Sequence, residues 1–225
     1  RPPSSVSNIN RRPLVLAGIE LRGVDKLSDI SAPVSSRKLL SACDDSLEGL
    51  RDKALLLFGF ASGGRRRSEI AAADWQDLRR IGEDAFIYRL EHSKTQQAGP
   101  SATATPDKPV LGRAGLALAA WLSAADITDG SPLPSPVGEC VGPALSPKAV
   151  AAIVQRRALQ AGLNGDFAGH SLRSGFITEG GRQGIALPAL PALMALTEHR
   201  SVAQAIGYFQ AGDASSNPAA RLLDL

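Results

Sequence analysis

Gly169-His170-Ser171-Leu172-Arg173-Ser174-Gly175-Phe176, followed by Glu198-His199-Arg200-Ser201 and then Gly207-Tyr208-Phe209, are the most informative stretches of this chain. Singly, each has a plain explanation. A histidine and an arginine three residues apart on a helix usually make solvent-facing polarity. An aromatic within Ala205-Ile206-Gly207-Tyr208-Phe209 is by default a packing residue. Their setting is helical: helices are expected over residues 170–182, 188–196 and 202–209, the last with Ser201 as N-cap and Gln204 completing a capping box. Gly180-Gly181 inside the first of these costs roughly 1 kcal/mol per glycine against alanine, which predicts a break or a tight packing contact there.

Upstream, Ser146 is a candidate N-cap with Pro147 at the first helical position, and Gly162 can close that helix. A helix around Trp121 is expected over residues 116–125, joined to the next by a Pro/Gly-rich connection over 130–142. Residues 85–90 have the aromatic and β-branched content of a strand, and 108–111 supplies a second strand across a long loop over 95–107. Asp45 and Glu48 sit at capping-box spacing before the apolar run 50–58; Gly63-Gly64 breaks that run, and a short helix restarts over 68–73. Residues 1–36 are rich in Pro, Ser and Arg without periodicity and read as a linker, or the remnant of a further domain. The compact unit is expected over 37–225. The fold class is therefore α+β, predominantly α-helical with a small antiparallel sheet. No internal repeat is evident.

At 225 residues and 44% hydrophobic content the chain can enclose one sizeable core, which excludes a peptide hormone or a disordered tail. No apolar run approaches the ~20 residues that cross a bilayer, so no membrane association is expected. Cys43 and Cys140 are too few for a disulfide framework or a thiolate metal cluster, which favours a reducing compartment. Of the 25 cations, 19 are arginine and 6 lysine. Arginine suits bidentate phosphate recognition, although a GC-rich coding sequence produces the same bias.

Four separated pieces carry chemistry: Arg66 with Glu69 in Gly64-Arg65-Arg66-Arg67-Ser68-Glu69-Ile70; Lys94 in the expected hairpin; His170 with Arg173; and His199 with Tyr208. Their order resembles the catalytic domain of the tyrosine recombinase (phage integrase) family, with its sequence Arg, Lys, His-x-x-Arg, His or Trp, then Tyr. The likeness runs from about Lys38 to Leu223 and is similar to Cre-type and related bacterial and phage integrases. It implies the DNA breaking-rejoining fold and a site-specific recombinase that acts on double-stranded DNA in the bacterial or phage cytoplasm, at the nucleoid.

The chemistry fits first principles. Opening a phosphodiester by direct attack needs a nucleophile, neutralisation of a pentavalent transition state and a proton for the leaving oxygen. The resemblance implies Tyr208 as nucleophile, Arg66 and Arg173 as phosphate clamp, His199 as a further donor, His170 as base and Lys94 as general acid. No cofactor and no metal are expected. Glu69 is expected to hold an arginine or a histidine from behind.

Family members usually read Gly-Leu/Met-Arg-x-x-Glu, so the Glu69 offset selects Arg66 and leaves Arg65 where an apolar residue is common. Arg65 is expected in solvent or on backbone phosphate, with Arg67 and Arg200 as further DNA contacts. Glu198 stands where glycine often precedes the histidine. Lys108 is the nearby competitor for the role of Lys94. The resemblance further implies a tetramer on paired sites, a monomer for the isolated fragment, and a tail over 212–225 passed to a neighbouring protomer through Leu222 and Leu223. Two related readings remain: a type IB topoisomerase-like nicking-closing enzyme, and a DNA-binding relative that no longer cuts.

Overall fold

The computed structural model describes residues 14–16, 19–21, 26–28, 33–90, 107–138, 140–163, 167, 171–199 and 201–213, with side chains from Leu39 onward. Its first elements are four three-residue strands, β1 (Leu14–Leu16), β2 (Ile19–Leu21), β3 (Lys26–Ser28) and β4 (Pro33–Ser35), paired antiparallel as β1–β2 and β3–β4. The sequence reads there as an unpatterned linker because three residues are too few to display a two-residue alternation. Helix α1 (Ser36–Ser41) follows.

Helix α2 (Leu47–Ala61) is the centre of the core, with Ala54, Leu55 and Phe58 fully buried. Its N-cap is Ser46, whose hydroxyl accepts from Gly49 N at 3.1 Å, one residue later than the Asp45 spacing suggests. The Asp44 carboxylate takes the Ser46 hydroxyl instead. After α2 the chain turns at Gly63-Gly64 into the short helix α3 (Arg67–Ala71).

A three-stranded antiparallel sheet comes next, in the order β5 (Leu78–Gly82), β6 (Ala85–Arg89), β7 (Asp107–Leu111). Leu78 pairs with Tyr88 and Phe86 with Val110. Phe58 of α2 meets Tyr88 edge to face with 5.0 Å between ring centroids, which seats the sheet on the central helix. Helix α4 (Arg113–Ala124) packs against α2 and buries Trp121, whose indole N–H donates to Pro132 O at 2.9 Å.

The two-residue strands β8 (Pro136–Val137) and β9 (Cys140–Val141) precede α5 (Pro147–Gln160), capped by Ser146 with Pro147 in its first turn. Then come α6 (Ser171–Arg182), α7 (Leu190–Thr197) and α8 (Val202–Asp213). Helix α6 packs on α8 and touches α2 and α7; Phe176 lies 5.5 Å from Phe60. It runs unbroken through Gly180-Gly181: a Cβ on Gly180 would stand 2.6 Å from Leu193 Cδ1, so of the two expected outcomes the close contact is the one realised. Among the described residues no helix is long and apolar enough to cross a membrane.

Candidate active site

Arg66 lies two residues past the Gly63-Gly64 turn. Gly64 has φ +68°, and a Cβ there would stand 2.5 Å from Arg173 Cα. Only glycine lets this turn lie flat against α6, and that contact brings Arg66 beside Arg173. Glu69, 1% exposed, fixes Arg66 from behind: its Oε1 accepts from Arg66 Nη1 at 2.7 Å and its Oε2 from Arg66 N at 3.1 Å.

Arg173 sits in the first turn of α6 and is buried, and its Nη1 has no hydrogen-bond partner among the described residues. Burial, reinforced by the charges of Arg66 and Arg65, brings its pKa down to about 9, so it is still a cation at neutral pH. A buried N–H with nothing to bond is costly, on the order of 1–3 kcal/mol. An anion in front of it removes that cost.

His199 lies just beyond α7. Its Nδ1 is 2.7 Å from Thr197 Oγ1, whereas Thr197 Oγ1 is 3.4 Å from its other acceptor, Met194 O. A neutral ring whose Nδ1 accepts from Thr197 carries its proton on Nε2, the tautomer able to serve an anion. Burial, with the charges of Arg173, Arg66 and Arg65, lowers the His199 pKa to about 4, so the ring is neutral near pH 7.

The Tyr208 ring stands edge-on to His199, with centroids 5.9 Å apart and planes at 63°. Gln204, one turn earlier on α8, donates Nε2–H to Tyr208 Oη at 3.1 Å, while its main-chain N–H takes Ser201 Oγ at 3.2 Å. Thus the Ser201 cap forms, but the Gln204 amide reaches the phenol and does not close a capping box. Arg66, Arg173, His199, Gln204 and Tyr208 line one pocket, with Ser174 at its wall. The sequence pointed to four of these. Thr197 and Gln204 were not singled out for the site, because a hydroxyl at a helix end and a glutamine in a first turn read as capping.

The remaining sequence candidates divide. Lys94, His170, Arg200, Leu222 and Leu223 lie outside the described residues. Arg67 is exposed on α3. Arg65 corrects the expectation: it is 0% exposed, bonded to Leu196 O and Gly63 O, and so contacts neither solvent nor phosphate. The reason is local, since the Gly63-Gly64 turn folds its side chain inward beneath α7. Lys108 does not compete with Lys94 either. It is equally buried, with Nζ 3.1 Å from both Ala195 O and Glu198 Oε1, and takes no part in lining the pocket. Glu198 itself has φ +60°, a left-handed conformation that costs a non-glycine residue roughly 1–2 kcal/mol.

The profile described as "Phage integrase family" matches residues 34–214. The chain belongs to the phage integrase family. That family is one of DNA strand-transferring tyrosine recombinases. The integrase-family chain is 37% identical over 176 residues to an "Integrase/recombinase xerD homolog" of Selenomonas ruminantium, an alignment covering 76% of this chain and 50% of the relative. The chain therefore spans about half the length of the curated relative it matches. Its fold is similar to the crystal structure of XerA recombinase (TM-score 0.59, 18% identity, 82% of this chain and 59% of that one). It is also similar to XerH site-specific recombinase, solved bound to palindromic difH substrate in a post-cleavage complex (TM-score 0.58, 15% identity, 84% and 51%). The predominantly helical α+β expectation holds.

Proposed function

We propose that this chain is the catalytic part of a site-specific DNA recombinase that cuts and rejoins DNA through a 3′-phosphotyrosyl intermediate. The observation that carries the reading is the buried Nη1 of Arg173, without a hydrogen-bond partner among the described residues, in a pocket shared with Arg66, His199 and the Tyr208 phenol. Two guanidiniums and an imidazole facing one pocket suit a transferring phosphoryl group.

In the proposed reaction Tyr208 Oη attacks phosphorus and its proton passes to His170. The P–O5′ bond breaks as the P–O(Tyr) bond forms, and Lys94 gives its proton to the departing O5′. Arg66 and Arg173 hold the non-bridging oxygens, and His199 Nε2–H meets the negative charge that grows there. Gln204 donates to the phenol oxygen, which favours the developing phenolate. Charge is neutralised by side chains throughout, so neither metal nor ATP is needed; the phosphoester bond energy is retained in the tyrosyl link, and a 5′-hydroxyl from another strand reverses the step. Exchange between two duplexes takes four cuts, and four copies of Tyr208 on paired sites supply them. Because the grip on DNA is chiefly through phosphates, binding by this chain falls steeply with salt.

The test is a pool of nicked, random-sequence duplexes incubated with the protein and denatured to trap covalent complexes. Adducts enriched for one sequence, absent in Tyr208→Phe while DNA binding persists, support the reading. Adducts without sequence preference, accompanied by relaxation of supercoiled plasmid, would indicate a topoisomerase-like enzyme. No adduct at all would leave a DNA-binding relative.

A further inference from the structure

Two buried cations outside the pocket have no part in the chemistry above. Arg65 closes the turn before α3; its Nη2 donates to Leu196 O and, at 3.2 Å, to Gly63 O, and its Nη1 lies 3.4 Å from Glu69 Oε2. Lys108, on β7, places Nζ 3.1 Å from Ala195 O and 3.1 Å from Glu198 Oε1. Ala195 and Leu196 belong to the last turn of α7, Glu198 is its C-cap, and His199 is the next residue. One cation from the α2–α3 turn and one from the sheet therefore grip the same helix terminus, where orphan carbonyls carry partial negative charge.

Both groups are expensive to bury. Arg65 keeps an Nε with no partner among the described residues, and loss of hydration, with the nearby Arg65 charge, lowers the Lys108 pKa to about 8. Packing alone does not require such charges, and the resemblance noted above has an apolar residue commonly at the Arg65 position. Glu198 joins them: its left-handed backbone puts its carboxylate on Lys108 and turns the chain into His199.

We infer that Arg65 and Lys108 are positioning residues, a two-cation clamp on the C-terminal turn of α7 that sets where the His199 ring stands relative to Arg66, Arg173 and Tyr208. The clamp's effect on reaction rate rests on the proposed strand-transfer function; its effect on the His199 ring does not. The groups facing that ring are Arg173 from α6, Arg66 and Arg65 from the turn before α3, Thr197 from α7 and Tyr208 from α8.

The test uses the whole chain in four variants: Arg65→Leu, Arg65→Lys, Lys108→Met, and the double variant Lys108→Met/Glu198→Gly, which removes opposite charges together. Four quantities are read: the His199 ring resonances and titration by NMR, DNA affinity, melting temperature, and the rate of adduct formation on nicked duplexes selected from the random pool. In Arg65→Leu the His199 pKa rises by at most about 0.6 unit, since the smallest of the four influences that together bring it from 6.5 to about 4 is gone. Adduct formation falls about 100-fold in Arg65→Leu and Lys108→Met while DNA affinity holds within about twofold, the signature of a misplaced reacting group. Arg65→Lys keeps most of the rate and a native His199 titration, and the double variant outperforms Lys108→Met alone.

Unchanged titration and rate in folded Arg65→Leu and Lys108→Met overturn the clamp. Rate, affinity and melting temperature falling in proportion, with no rescue by Arg65→Lys, overturn it as well. Should Arg65→Leu fail to fold, Arg65→Lys and the double variant decide by the same criteria. A wild type that forms no adduct removes the strand-transfer reading; the clamp then stands if the His199 ring resonances of Lys108→Met move while its melting temperature holds, and falls if they do not.

Discussion

A neutral imidazole offers one N–H, so whichever side chain fixes its tautomer decides what the ring can do. At His199 that side chain is Thr197, fully buried and 2.7 Å from Nδ1. Thr197→Val is nearly isosteric and removes the donor, so the proton is free to sit on Nδ1, where it cannot serve a phosphate at Nε2. The expected loss is about tenfold in adduct formation, the worth of one hydrogen bond of ~1.4 kcal/mol, with Thr197→Ser close to wild type. Equal rates in Val and Ser variants would remove Thr197 from the account. His199, Tyr208, Arg66 and Arg173 were legible because their order along the chain constrains them jointly. Thr197 was not, since a threonine two residues before a histidine carries no pattern of its own.

Between elements, the strongest polar tie lies on the far side of the central helix. Asp52 of α2, 0% exposed, accepts from Arg51 Nε at 2.7 Å, Arg156 Nη2 at 2.8 Å and Arg157 Nε at 2.6 Å, while Arg157 Nη1 reaches Ala42 O at 2.6 Å. This joins α2 to α5. Asp52→Ala strands Arg51 and Arg157, both buried, without their carboxylate, and should cost about 3–5 kcal/mol in denaturant unfolding. A loss under about 1 kcal/mol would show that the pairing is incidental.

Helix starts and stops were readable where punctuation was local, as at Ser146-Pro147 and Gly63-Gly64. Strand β5 was not: Leu78-Arg79-Arg80-Ile81-Gly82 is exposed along almost its whole length, so no alternation marks it, and its partner strand alone defines it. Nor could Arg65 be placed, because an arginine among arginines looks solvated until the turn that buries it is known.

For the molecule as a whole, burial of His199 beside a cluster of cations makes acid the weak side. His199 titrates at about 4 in the folded chain against ~6.5 when unfolded. Between those values the unfolded chain holds a proton that the folded one refuses, so stability rises with pH through this window and declines as pH falls from ~6.5 toward 4. Asp44 adds the same sign lower down, since its hydrogen bonds from Ser46 hold its carboxyl below the usual range. Urea midpoints measured from pH 7 to 4.5 should fall, and His199→Gln should flatten that slope; an identical slope in the variant would assign the effect elsewhere.

Helix α8 (Val202–Asp213) carries Tyr208 on a spiral in which each residue advances about 100° around the axis and 1.5 Å along it. Gln204 and Tyr208 share one face of that spiral only because four residues nearly complete a turn. A single alanine inserted between Val202 and Gly207 leaves every side chain in the protein intact, yet swings the phenol a quarter-turn away from the imidazole. Composition would be almost unchanged and phasing lost, so length variation among relatives should be tolerated in the connections flanking this segment and forbidden within it.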